Sequence, residues 1–121
     1  MPRLSSRAWQ AAPLVGLVLA GLNGPAGHAG EAAPQRHLVV IERFAFDPPR
    51  LEIRAGDSVE WINRDLAPHS ATSDGTLAGD AWDSGTLAKR ERFEQRFMEP
   101  GTLGYLCAFH PHMRGEIVVA P

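Results

Sequence analysis

From His37 onward the chain is cut into short apolar runs of period two, each closed by Gly, Pro or Asp. That rhythm admits strands and almost nothing else. His37 to Phe44 contains Leu38-Val39-Val40-Ile41. Arg50 to Arg54 sets Leu51 and Ile53 against Glu52 and Arg54, then breaks at Ala55-Gly56-Asp57. Ser58 to Asn63 puts Val59 and Trp61 on one face and Glu60 on the other. Phe93, Gln95 and Phe97 share a face before the turn Glu99-Pro100-Gly101, and Thr102 to Cys107 and Gly115 to Ala120 complete the set. No stretch between them is long and periodic enough for a substantial helix. The expected fold is all-β, an antiparallel sandwich or barrel. The region Ser73 to Lys89 is Gly/Asp-rich and the least regular, with a short edge strand expected around Trp82 to Ser84.

The N-terminus reads differently. Arg3 and Arg7 precede an apolar stretch from Ala11 to Leu22, and Gly27-His28-Ala29 offers small residues for a signal peptidase. The apolar stretch is too short to span a membrane. Residues 1–29 are therefore expected to be a cleaved signal peptide, residues 30–36 a flexible leader, and residues 37–121 one small domain. No cysteine near the cleavage site offers a lipid attachment point, so the exported chain is expected in the periplasm without a membrane anchor. Cleavage would remove two of the twelve basic residues and none of the fourteen acidic ones, making the net charge of −2 more negative. The remaining basic residues are scattered and give no nucleic-acid footprint.

Cys107 is the only cysteine. In an exported protein it can form no internal disulfide and would be exposed to oxidation, so a bound metal gives it a reason to exist. It opens the run Cys107-Ala108-Phe109-His110-Pro111-His112-Met113. One thiol, an imidazole three residues on and a thioether three residues later supply three donors of a trigonal copper site. Such a site holds one Cys and two His, with a long axial Met, and carries single electrons. His69, in Ala67-Pro68-His69-Ser70 after the run ending at Asn63, is the candidate for the second imidazole. The expected ligands are His69, Cys107, His110 and Met113, holding one copper ion that alternates between Cu(I) and Cu(II).

Taken singly, each of these residues has a plainer explanation. A lone Cys at a strand end is usually a small buried hydrophobe, a lone Met is usually core, and a lone His is usually structural. Only the combination and its spacing point to a metal. His112 competes with His110 but adjoins Met113, which crowds simultaneous ligation. A thiol enzyme using Cys107 and His110 would lack a third orienting group. A dinuclear copper centre would need a second cysteine, and a multicopper oxidase would need further histidine clusters. The chain is therefore not expected to be an enzyme. Leu66, Ala67, Pro68, Phe109 and Pro111 would form an apolar patch around the exposed edge of His110. A copper module for storage, delivery or resistance would use the same ligands.

Two segments carry a family resemblance. Val59-Glu60-Trp61-Ile62-Asn63-Arg64 followed by Pro68-His69, and Cys107-x-x-His110-Pro111-x-Met113-Arg114-Gly115 followed by valines, resemble the amicyanin branch of the cupredoxins. The similarity runs from about His37 to Ala120, and the short Cys-x2-His-x2-Met loop distinguishes it from plastocyanin-like and azurin-like loops, which are longer. The resemblance implies a cupredoxin-like Greek-key β-sandwich of eight strands, a type 1 copper, and a monomer that shuttles electrons between periplasmic redox proteins. An amine dehydrogenase as donor and a c-type cytochrome as acceptor are the partners it implies.

Three positions depart from that pattern. Ser70 stands where the family usually has Asn, and Ala108 where it usually has the Ser or Thr that the Asn bonds. Both ends of the tie between the two ligand loops are thus altered. Phe109 replaces a usual Pro and keeps an N–H, which is expected to point at the Cys107 sulfur.

Overall fold

The computed structural model describes residues 32–121 other than Ala78, together with Gly16; the expected signal segment, residues 1–29, otherwise lies outside them. Eight strands form: β1 (Arg36–Glu42), β2 (Ala45–Asp47), β3 (Arg50–Arg54), β4 (Ser58–Asn63), β5 (Thr72–Ser73), β6 (Arg92–Arg96), β7 (Gly101–Leu106) and β8 (Arg114–Ala120). They make two four-stranded sheets, ordered β2-β1-β4-β6 and β3-β8-β7-β5. No helix occurs among the described residues. The architecture is the cupredoxin-like sandwich.

Pairing is not wholly antiparallel. β1 runs parallel to β4, and β3 runs parallel to β8. Parallel neighbours cannot be joined by a tight hairpin. The chain meets that demand by changing sheets between β2 and β3, so β3 reaches β8 and β4 returns beside β1. Two strands are too short to show a period: β2 has three residues and β5 has two. The edge strand expected at Trp82–Ser84 does not form. Asp83 makes one isolated bridge to Thr72, and the pairing goes no further in a segment turned by the positive-φ glycines Gly79 and Gly85.

The period-two reading does locate the core. Val39, Ile41, Val59 and Trp61 from the first sheet are fully buried, and Leu103, Tyr105, Ile117 and Val119 face them from the second. Trp61 lies at the centre, its ring 5.0 Å from Trp82 and 5.3 Å from Tyr105. Gly115 is required for this packing, because a β-carbon there would run into the Tyr105 ring.

Alternation fails at the end of β4, where Ile62 and Asn63 are both buried. The segment before β6 covers that end. Asn63 is satisfied there, its Nδ2 donating to the carbonyls of Leu87 (2.8 Å) and Ala67 (2.9 Å), and its Oδ1 accepting from the Asp65 amide (2.9 Å). A buried amide with all of these bonds fixes the course of the chain. The segment so fixed carries His69.

Candidate metal centre

Three segments meet at one end of the sandwich. The link from β4 to β5 brings His69, which is anchored by reciprocal backbone bonds with Leu87 (His69 N–H to Leu87 O 3.1 Å, Leu87 N–H to His69 O 2.7 Å). The loop from β7 to β8 brings Cys107, His110 and Met113. It is closed by Cys107 N–H to Met113 O (3.1 Å), His110 N–H to Cys107 O (3.2 Å) and Met113 N–H to His110 O (2.8 Å). The turn between β1 and β2 brings Phe44, whose ring meets His69 and His110 edge-on at 4.9 and 5.1 Å.

His69 and Cys107 are fully buried, Met113 is buried, and His110 is half-buried. The Cys107 Sγ lies 3.8 Å from His69 Nδ1 and 3.7 Å from His110 Nδ1, and the three donor atoms fall within 4.8 Å of one another. Bonds of roughly 2.0–2.3 Å, ordinary for imidazole and thiolate on a first-row ion, span about 3.7 Å when opened to about 120°. The triangle of donors therefore suits a trigonally held ion. A thiolate with two imidazoles in that arrangement is the donor set of a type 1 copper. His112 lies outside the cluster, exposed, with its ring 6.2 Å from that of His110.

The surroundings orient these donors. Asp65 takes a bond from His69 Nε2 at 2.8 Å, which leaves Nδ1 facing the thiol. The same carboxylate accepts the amides of Arg43 (2.8 Å) and Phe44 (2.9 Å). Those two residues form a two-residue hairpin turn and both have positive φ, 54° and 57°. For side-chain-bearing residues the left-handed region costs roughly 1–2 kcal/mol each, and the Asp65 bonds offset that cost. Burial by itself would raise the Asp65 pKa, but the bonds from the Phe44 amide, the His69 ring and the Arg43 amide outweigh it, so the carboxyl stays below its ordinary value. Asp65 and Phe44 had no signal in the sequence, because the turn that joins them to His69 is a tertiary contact.

The altered tie between the ligand loops survives in another form. Ser70 Oγ accepts the Ala108 amide at 2.8 Å and shares a bond with Thr72 Oγ1 at 2.9 Å. A serine hydroxyl needs no side chain at position 108, since it bonds the backbone there. The thiol's amide donor is Ser70 N–H, at 3.4 Å. The expected bond from Phe109 N–H does not appear among those made by Cys107; the Phe109 side chain lies exposed at the rim instead.

A sequence profile of copper binding proteins of the plastocyanin/azurin family matches residues 36–120. The chain belongs to that family. Among its relatives, an amicyanin of Paracoccus denitrificans is 37% identical over 92 residues, covering 75% of this chain and 70% of the relative. A plastocyanin of a Synechococcus strain is 31% identical over 119 residues, covering 86% of this chain and 83% of the relative. Among solved structures, an oxidised amicyanin mutant superposes with a TM-score of 0.66 at 33% identity, covering 69% of this chain and 81% of that one. A reduced amicyanin mutant gives 0.66 at 36% identity, covering 74% and 87%. The cupredoxin fold and a single type 1 copper follow from the family together with the His69-Cys107-His110 cluster.

Proposed function

We infer that this protein carries single electrons as an amicyanin-like type 1 copper protein, with His69, Cys107, His110 and Met113 as its ligands. The observation that carries the reading is a buried thiol with two imidazole nitrogens at 3.7 and 3.8 Å, one of them on a half-buried ring. Copper supplies the one-electron chemistry by alternating between Cu(I) and Cu(II). The protein holds the donors rigidly and keeps water out. His69 is fixed by Asp65 and by its backbone bonds to Leu87, and the Cys107–Met113 loop is closed on itself. Ligands held this way need little rearrangement between oxidation states. Phe44, whose ring meets His110, and Phe109, beside it in the chain, are 47% and 50% exposed, and with Leu66, 85% exposed, would form an apolar patch suited to brief docking.

The protein acts as a carrier and not as an enzyme. Residues 1–29 direct it to the periplasm, and the mature chain works there as a monomer without a membrane anchor. Its partners are exported redox proteins, an amine dehydrogenase as donor and a c-type cytochrome as acceptor. Storage or delivery of copper is disfavoured by the burial of His69, Cys107 and Met113, which closes the site to rapid exchange. The test is voltammetry of copper-loaded protein with stopped-flow oxidation by a c-type cytochrome. A reversible one-electron wave and fast transfer are expected. An irreversible wave, or copper release on each cycle, would contradict the reading.

A further inference from the structure

We propose that the electron-exchange face docks partners that carry an acidic rim, through a basic crescent formed by Arg43, Arg64, Lys89 and Arg90. The proposal rests on the electron-carrier reading and adds the charge of the partner to it. The four residues come from three segments tied to the His69 loop. Arg43 precedes Phe44, and its amide bonds Asp65. Arg64 bonds Ile41 O at 2.8 Å, and Arg90 bonds Asn63 O at 2.6 Å. Lys89 adjoins Arg90, two residues beyond the Leu87 that pairs with His69. All four are exposed.

Among the described residues, none of the four has a carboxylate within ion-pair distance, whereas Arg36, Arg50, Arg92 and Arg114 all do. The acids near the crescent do not cancel it. Asp65 is turned inward onto His69 and the turn amides but stays ionised, so with exposed Glu42 and Glu91 three carboxylates stand against four cations and a net positive charge remains. The acids Asp74, Asp80 and Asp83 lie on the other flank, on the loop after β5. Their carboxylates are engaged by Arg114, by Ser73 and Trp82, and by Thr72 and Gly85 respectively. The site end is thus positive on the β1-β4-β6 side, where Phe44 touches both imidazoles, although the whole chain is negative, at −2. A local field of that sign steers partners within about a Debye length, near 10 Å at 0.1 M salt. Acidic rims would be drawn to it and basic ones turned away.

Local and net charge predict opposite signs in one experiment. Oxidation of the reduced, copper-loaded protein by hexacyanoferrate(III), one electron passing to the iron complex, should slow roughly threefold or more from low to high salt. Oxidation by the cationic tris(phenanthroline)cobalt(III) should speed up. In an Arg64→Glu/Arg90→Glu variant that keeps its visible spectrum, both trends should reverse. Redox-inert, paramagnetic hexacyanochromate(III) should broaden the NMR amides of Arg43, Arg64 and Arg90 in the reduced protein before those of Asp74, Asp80 and Asp83. A hexacyanoferrate rate that rises with salt, salt trends unchanged in the variant, or broadening centred elsewhere would overturn the proposal. Exchange with neither reagent would instead sink the electron-carrier reading beneath it.

Discussion

Asp65 accepts the Nε2 proton of His69 at 2.8 Å while holding the amides of the Arg43–Phe44 turn. One carboxylate therefore sets the tautomer of a buried imidazole and the position of the aromatic ring that covers it. Asp65→Asn keeps the shape but removes the charge, and its NH2 group cannot accept the turn amides. A less basic His69 favours Cu(I), so the reduction potential should rise. Copper affinity should fall roughly 10- to 100-fold, the usual cost of losing a supporting carboxylate. A redox titration and a competition with a chelator check both effects. Unchanged values would reduce Asp65 to a turn-holding residue.

Ser70 links the two ligand loops through the Ala108 amide. Ser70→Ala removes that acceptor and should cost about 0.5–1.5 kcal/mol of stability. Denaturant unfolding of metal-free protein measures this directly. Ser70→Thr retains the hydroxyl and should recover most of the loss.

In the turn between β3 and β4, Asp57 is held at about 2, below its ordinary 3.8, by the amide of Gln35, by the His37 ring and by the amide of Arg54. With its folded pKa depressed, the group contributes stability in full above about pH 4. That contribution is lost as pH falls through about 2, because the unfolded chain takes up the proton first. Asp57→Asn should flatten the acid limb of stability between about pH 4 and 2. Unfolding free energies over that range check the slope, and an unaltered slope would contradict it.

Met113 is buried, with its carbonyl closing the ligand loop onto the Cys107 amide. As the proposed weak axial donor, it should tune potential more than it retains metal. Met113→Gln should remain blue and show a lower potential, since an amide oxygen favours Cu(II). An unchanged potential would mean that the thioether only packs.

Much of this was legible in the residue pattern. Val59, Trp61, Leu51, Ile53 and the C-terminal valines announced strands because period two survives wherever one face is buried. The Cys107–Met113 loop was legible because its donors are close in sequence. Pairing direction was not, since period two is the same in parallel and antiparallel strands. Nor was the role of Asp65, which depends on a turn twenty-two residues earlier. The inward turn of Asn63 was hidden because polar residues at strand ends are ordinarily solvated. The Ser70–Ala108 bond was not legible either, because its donor is a backbone amide that no side chain announces.

If Cys107 joins His69 and His110 on one type 1 copper, the visible spectrum of the Cu(II)-loaded protein will show it. Trigonal thiolate ligation gives strong copper–sulfur overlap, and hence an intense thiolate-to-copper charge-transfer band. The protein should be blue at one copper per chain, and Cys107→Ser should fold but lose the band entirely. A wild type that binds copper without the band, or a Cys107→Ser variant that stays blue, would rule out this ligand set.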